Sequence, residues 1–70
     1  MSFRTLTVRL DEPGGGITYV GDSVPGTAAS EGAWRIKRLT ETATLLTIQY
    51  ADGDQDFDNV WDNRASLTYI

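Results

Sequence analysis

Five aspartates crowd the stretch Ala51–Leu67, at Asp52, Asp54, Asp56, Asp58 and Asp62. They are half of the chain's ten acidic residues, and no lysine accompanies them. Carboxylates at alternate positions suit three chemistries: oxygen ligands for calcium, a paired acid and base, or side-chain acceptors that shape a turn. The spacing tests the first. A calcium loop of the EF-hand kind needs D-x-[DN]-x-[DN]-G and a bidentate Glu at its twelfth place. Counted from Asp52, the sixth place is Phe57 and the twelfth Asn63; counted from Asp54 they are Asn59 and Ala65. Neither register fits, so no metal site is assigned.

Catalysis fares no better. The 70-residue chain has no histidine and no cysteine, which removes the usual neutral-pH base and any thiolate chemistry. Paired carboxylates acting on a glycosidic bond need a cleft that so small a β-module hardly has room for. The expectation is a non-enzyme, with no catalytic residue and no cofactor.

The third reading explains the stretch residue by residue. Asp52-Gly53 is a strong turn dipeptide closing a strand at Tyr50. Asp58 stands where it can cap a short helical turn near 58–63. Phe57 and Trp61, four apart, are expected to meet on its inner side with Val60 beside them. Arg64 is expected to hold the exit through Asp58 or Asp62.

The elements that position this turn read as all-β. Threonine, branched aliphatic and aromatic residues alternate between turn residues, and no apolar period of 3.6 is sustained. Phe3 to Leu10 predicts a first strand with Leu6, Val8 and Leu10 on one face and Thr5, Thr7 and Arg9 on the other. Pro13 and three glycines break it. Ile17 to Val20 predicts a second strand. Gly21 to Gly32 follows as a long connection holding a type II turn at Val24-Pro25-Gly26-Thr27. Trp34 to Thr40 and Thr44 to Tyr50 predict an antiparallel hairpin. Leu67 to Ile70 predicts a last strand, pairing with the N-terminal strand or with a neighbouring chain. The result is one domain over 1–70, a small antiparallel sandwich or barrel-like module of about five short strands. Trp34, Ile36, Ile48, Tyr50, Phe57, Val60 and Trp61 are its expected core and turn anchors.

The net charge of −4 disfavours nucleic acid, which selects a basic surface. The cluster Arg35, Lys37 and Arg38 is too small to reverse that. No run approaches the roughly 18–20 apolar residues of a membrane span. The opening MSFRTLTVRL alternates instead of running apolar, so no secretion signal is expected. A domain this short is marginal unless a disulfide, a metal or a partner helps it. Without cysteine, self-association is the default expectation. Val24, Pro25, Leu67, Tyr69 and Ile70 are the candidate assembly contacts.

The pattern Tyr19-x-Gly21, Pro25-Gly26-Thr27-Ala28, Trp34-Arg35-Ile36, Ala51-Asp52-Gly53 and Phe57-Asp58-Asn59-Val60-Trp61-Asp62-Asn63-Arg64-Ala65-Ser66-Leu67 occurs in that order. It resembles a group of short β-rich proteins and terminal domains encoded by tailed bacteriophages. The similarity runs from about Tyr19 to Tyr69, and Ile70 departs from the small polar ending of that group. The resemblance implies a structural role in a virion: a subunit made in the host cytoplasm that assembles with itself and with other virion proteins in the capsid, neck, tail or a fibre. Two other readings stand beside it. One is a module binding host-surface glycans through Trp34, Trp61 or Tyr19. The other is a repeating subunit of an extracellular filament.

Overall fold

A computed structural model describes residues 5–70; the expected strand positions Phe3 and Arg4 lie outside them. Four antiparallel strands lie in chain order: β1 (Thr7–Gly14), β2 (Ile17–Ser23), β3 (Gly32–Glu41) and β4 (Leu46–Tyr50). A two-residue strand, β5 (Asn59–Val60), pairs with the start of β3, and a 3-10 helix (Trp61–Ser66) follows. The fold is thus all-β, with about five antiparallel strands and one short helical turn. No helix of the described residues is long and apolar enough to cross a membrane.

Local chemistry fixes the turns. Thr27 donates its amide to the Val24 carbonyl at 3.1 Å, and Gly26 has φ +91°, the glycine position of a type II turn. Asp52 and Gly53 take φ +60° and +72°. Positive values at both central residues make Ala51–Asp54 a type I′ turn, for which Asp-Gly is a preferred pair. Pro13 falls where the β1–β2 register shifts, between Asp11 and Gly14, on an edge strand that can spare the missing donor.

Register sets the faces. Strand partners put their side chains on the same side of a sheet. Arg9, Gly21 and Ile36 therefore share one face with Trp34, Tyr19 and Arg38; Leu10, Val20, Lys37 and Tyr50 share the other. The segment after β4 packs its buried residues on the first face, while Phe57 reaches Arg35 on the other. Ala51 still pairs beside Ile36, the chain leaves the sheet edge through 52–58, and β5 rejoins β3 at Trp34. The tail then returns: Asp52 donates to the Thr68 carbonyl at 2.7 Å, and Ala51 bridges Tyr69. The last residues thus pair with 50–52, not with the N-terminal strand.

The core is Tyr19, Trp34, Ile36, Ala51, Trp61 and Tyr69, with Ile17, Ala29 and Leu67 packed against it. Trp34 meets Trp61 at 6.0 Å between ring centroids, and Tyr19 meets Tyr69 at 5.8 Å. Guanidinium groups close these stacks. Arg9 lies 5.3 Å from the Trp34 ring, Arg64 4.7 Å from Trp61 and Arg38 4.8 Å from Tyr69. With Arg35 on Phe57 and Lys37 on Tyr50, five cations approach aromatic faces among the described residues.

The apolar face of β1 is the outer one: Val8 and Leu10 are 58% and 64% exposed, and their polar neighbours face inward. The reason is that Arg9 covers Trp34 while Asp11 accepts from Arg64 Nε at 2.9 Å. Several expectations are corrected. Arg64 is therefore held by a residue far away in the chain and not by Asp58 or Asp62. The helical turn begins at Trp61, three residues after the expected start at 58. Its N-cap is Val60, without a side-chain cap bond, so Asp58 caps nothing. Ile48 and Phe57 are exposed, Tyr50 and Val60 half-buried. Phe57 lies on Arg35, away from the Trp34–Trp61 stack.

Candidate functional site

The acidic loop is an excursion from the sheet edge between Ala51 and Asn59. The Asp56 amide donates to Asp54 Oδ1 at 3.0 Å, which bends the loop so that Asp54, Asp56 and Asp58 converge. One oxygen from each lies within 4.8 Å of the others, and all three residues are exposed. Three carboxylates at that spacing have the hardness a divalent cation selects. They also repel one another: the Asp58 carboxyl is raised above its ordinary range by desolvation and by Asp54, Asp56 and Asp52. Asn59 Nδ2 donates to Asp58 Oδ1 at 3.2 Å, so the carboxylate orients the start of β5 and not a helix.

The second feature is the uncovered face of the sheet. Cross-strand rows run Val8–Asp22–Arg35, then Leu10–Val20–Lys37–Tyr50, then Thr18–Leu39–Ile48. An antiparallel sheet facing water normally turns polar residues outward. Here Val8 and Leu10 on one edge strand and Leu46 and Ile48 on the other stand more than half exposed, and Phe57 is exposed over Arg35. The charged residues between them are tied down. Arg35 grips Asp22 in a fork, Nε to Oδ1 at 3.1 Å and Nη2 to Oδ2 at 2.6 Å. That pair holds the guanidinium protonated beyond its ordinary value. Lys37 lies over the Tyr50 ring.

No protein-family model, curated protein or solved structure matches the chain.

The chemistry must therefore be read from the geometry. Among the described residues there is no enclosed pocket. Trp34 is 0% exposed and Trp61 6%, and Tyr19 is buried with them; the rings that a glycan-stacking surface would use are inside. Trp34 even uses its indole N–H internally, donating to the Ala28 carbonyl at 2.9 Å.

Of the candidate assembly contacts, Val24, Pro25 and Ile70 are exposed and Leu67 is packed on the core. Tyr69 is corrected: it is buried in its own chain, and its hydroxyl donates to the Arg64 carbonyl at 2.7 Å. A terminal aromatic looks available in sequence, but the tail folds back over Tyr19. The 24–31 connection is likewise no free arm. Asp62 donates to the Ala29 carbonyl at 3.1 Å, and the Ser23 hydroxyl donates to the Ala33 carbonyl at 2.6 Å.

Sequence reasoning missed the open face because it counted Ile48 as core and left undecided which face of the first strand points inward. A signal for it existed. Gly21 shares a parity with Tyr19, so the β-strand face bearing Gly21 has room for an indole. The bulge between Asp11 and Gly14 hid which β1 residues share that side.

Proposed function

We propose that this chain is a non-enzymatic structural subunit of a tailed-phage particle, a β-module that works by assembling with itself and with other virion proteins. The observation that carries the assembly part is the open sheet face, with Val8, Leu10, Leu46 and Ile48 each more than half exposed. Large apolar side chains exposed along both edges of one sheet face favour a docking role for that face. The absence of cysteine supports the same reading, since no disulfide is available to offset a small core. The virion part rests on the resemblance from Tyr19 to Tyr69, with its block Phe57–Leu67.

The test is direct. The chain is epitope-tagged in a phage lysogen or infected host, and purified particles are examined by immunogold electron microscopy and peptide mass spectrometry. The proposal expects the chain at a fixed position and in many copies per particle. Its absence from intact particles, with normal amounts in the lysate, overturns the virion assignment. The glycan reading has lost its stacking platforms to the core and is not carried further.

A further inference from the structure

We propose that Asp52-Gly53 is a site of spontaneous isoaspartate formation gated by the docked segment Thr68–Ile70: the reaction runs when that segment lifts, and its product keeps the segment from returning. The inference concerns the covalent chemistry of one turn and is independent of the assembly reading.

The chemistry needs no co-reactant but water. The Gly53 main-chain nitrogen attacks Asp52 Cγ. A C–N bond forms, the C–OH bond of the carboxyl group breaks, and the hydroxyl leaves as water with the amide proton. Water then adds to the Asp52 main-chain carbonyl carbon of the five-membered imide, and the bond from that carbon to the Gly53 nitrogen breaks. The chain now runs through Asp52 Cβ and Cγ with its mass unchanged, and the former main-chain carbonyl carbon carries a free carboxylate. A glycine after the acid leaves the attacking nitrogen unshielded, and Asp52-Gly53 is the one Asp-Gly or Asn-Gly pair in the sequence. Both residues are exposed, so water reaches the imide.

Three observations tie the reaction to the docked segment. The first is hydrogen bonding. The Gly53 amide, which is the nucleophile, donates to the Tyr50 carbonyl at 3.1 Å, and the Ile70 amide donates to the same oxygen at 3.3 Å. The Asp52 amide donates to the Thr68 carbonyl at 2.7 Å. The second is packing. A β-carbon on Gly53 would lie 3.4 Å from Ile70 Cβ, so the Ile70 side chain rests on the reacting residue. The third is conformation. Asp52, with φ +60°, is the one non-glycine residue at positive φ among the described residues. Such a conformation persists where its surroundings impose it, and here the bonds to Tyr50 and Thr68 do so.

With the segment docked, the nucleophile is engaged and the turn is fixed. The segment is held by an isolated bridge between Ala51 and Tyr69, and so local a contact opens before the sheet does. Once it opens, Gly53 is free to swing toward the carboxyl group. The product carries one more C–C bond, about 1.5 Å, in a two-residue turn. The Asp52 and Gly53 amides then no longer reach Thr68 and Tyr50 together, and Tyr69 loses its seat beside Tyr19.

The experiment incubates the full-length chain at mildly acidic pH and physiological temperature. Peptide mapping with electron-transfer fragmentation reads isoaspartate at position 52. The samples are folded wild type, wild type in urea, and Ile70→Gly, which removes the exposed side chain resting on Gly53; Trp fluorescence checks folding. The urea sample is expected to isomerise about tenfold faster than the folded wild type or more, with folded Ile70→Gly in between. No isoaspartate at position 52 in any sample overturns the site. Equal rates in the folded and unfolded wild type, or an Ile70→Gly rate no higher than the wild type's, overturn the gate. The isomer, separated by ion exchange, is expected to show faster amide exchange at position 52 and at Ile70 than the parent chain, and unchanged protection there overturns the release of the segment. Should Ile70→Gly not fold, the folded wild type decides. Its isomerisation rate must rise with temperature in step with exchange of the Ile70 amide, and a rate indifferent to that opening overturns the gate.

Discussion

Trp61 lies directly on Gly21. A β-carbon at position 21 would run into the indole ring and approach Trp34 as well. The glycine is thus a seat cut into β2 for a ring delivered by the 3-10 helix. Gly21→Ala must lift that ring off the sheet and should lower stability by about 1–3 kcal/mol, the usual range for overpacking. Urea unfolding followed by tryptophan fluorescence reads the loss. An unchanged midpoint would mean that Trp61 is seated elsewhere.

Trp61→Ala removes the ring itself and leaves Trp34 and Gly21 facing a void. The expected cost is about 3–5 kcal/mol, a large part of a small domain's stability. Asp54→Asn alters only an exposed carboxylate and should move the unfolding midpoint within about ±0.5 kcal/mol. Thermal unfolding of the two variants side by side checks the contrast.

How much of this arrangement was legible beforehand depends on range. Turn chemistry is local, and both Val24–Thr27 and Asp52–Gly53 follow from residue type alone. The β3–β4 hairpin follows from alternation on either side of a short reversal. Alternation also revealed that β1 has two faces, but not which one points inward. That choice was made by Arg9 and Asp11, which reach Trp34 and Arg64 across the fold. An apolar set turned outward departs from the usual rule that an antiparallel sheet shows polar residues to water. The acidic loop misled for a similar cause. Asp58 has the composition of a cap, yet the chain uses two more residues to re-form a strand beside Trp34 before it coils.

Tyr69 should ionise well above the ordinary tyrosine range. Burial pushes its phenol up to about 12, with Tyr19 adding to the shift and Arg38 and Arg64 opposing it. An acid whose folded pKa is raised contributes stability that is complete below the unfolded value near 10 and is lost as pH rises through the folded one. The wild type should therefore weaken between about pH 10 and 12. Tyr69→Phe should cost about 0.5–1.5 kcal/mol at pH 7 through its lost bond to the Arg64 carbonyl, and should show a shallower alkaline decline. Absorbance titration of the phenolates, with unfolding at each pH, tests both statements.

Asp58 has the same sign at the other end of the scale. Its raised carboxyl disfavours folding slightly once ionised, so stability is greatest below the ordinary carboxylate range and declines as pH rises through the folded pKa. Asp58→Asn keeps an acceptor for Asn59 and removes the charge. Its melting temperature should exceed the wild type's slightly at pH 7, match it near pH 3, and keep a smaller advantage in high salt, which screens the neighbouring aspartates but not the desolvation. Equal melting temperatures at pH 7 and low salt would contradict the crowding of Asp54, Asp56 and Asp58.

The central claim is that this fold is a subunit whose open sheet face must be covered. Sedimentation equilibrium of the unmodified chain, from about 1 to 200 µM, tests it most directly. The account predicts a mass that rises with concentration to a defined multiple of 7.7 kDa, with thermal stability rising alongside it. A single species of 7.7 kDa at every concentration, folded and with a constant melting temperature, would contradict it.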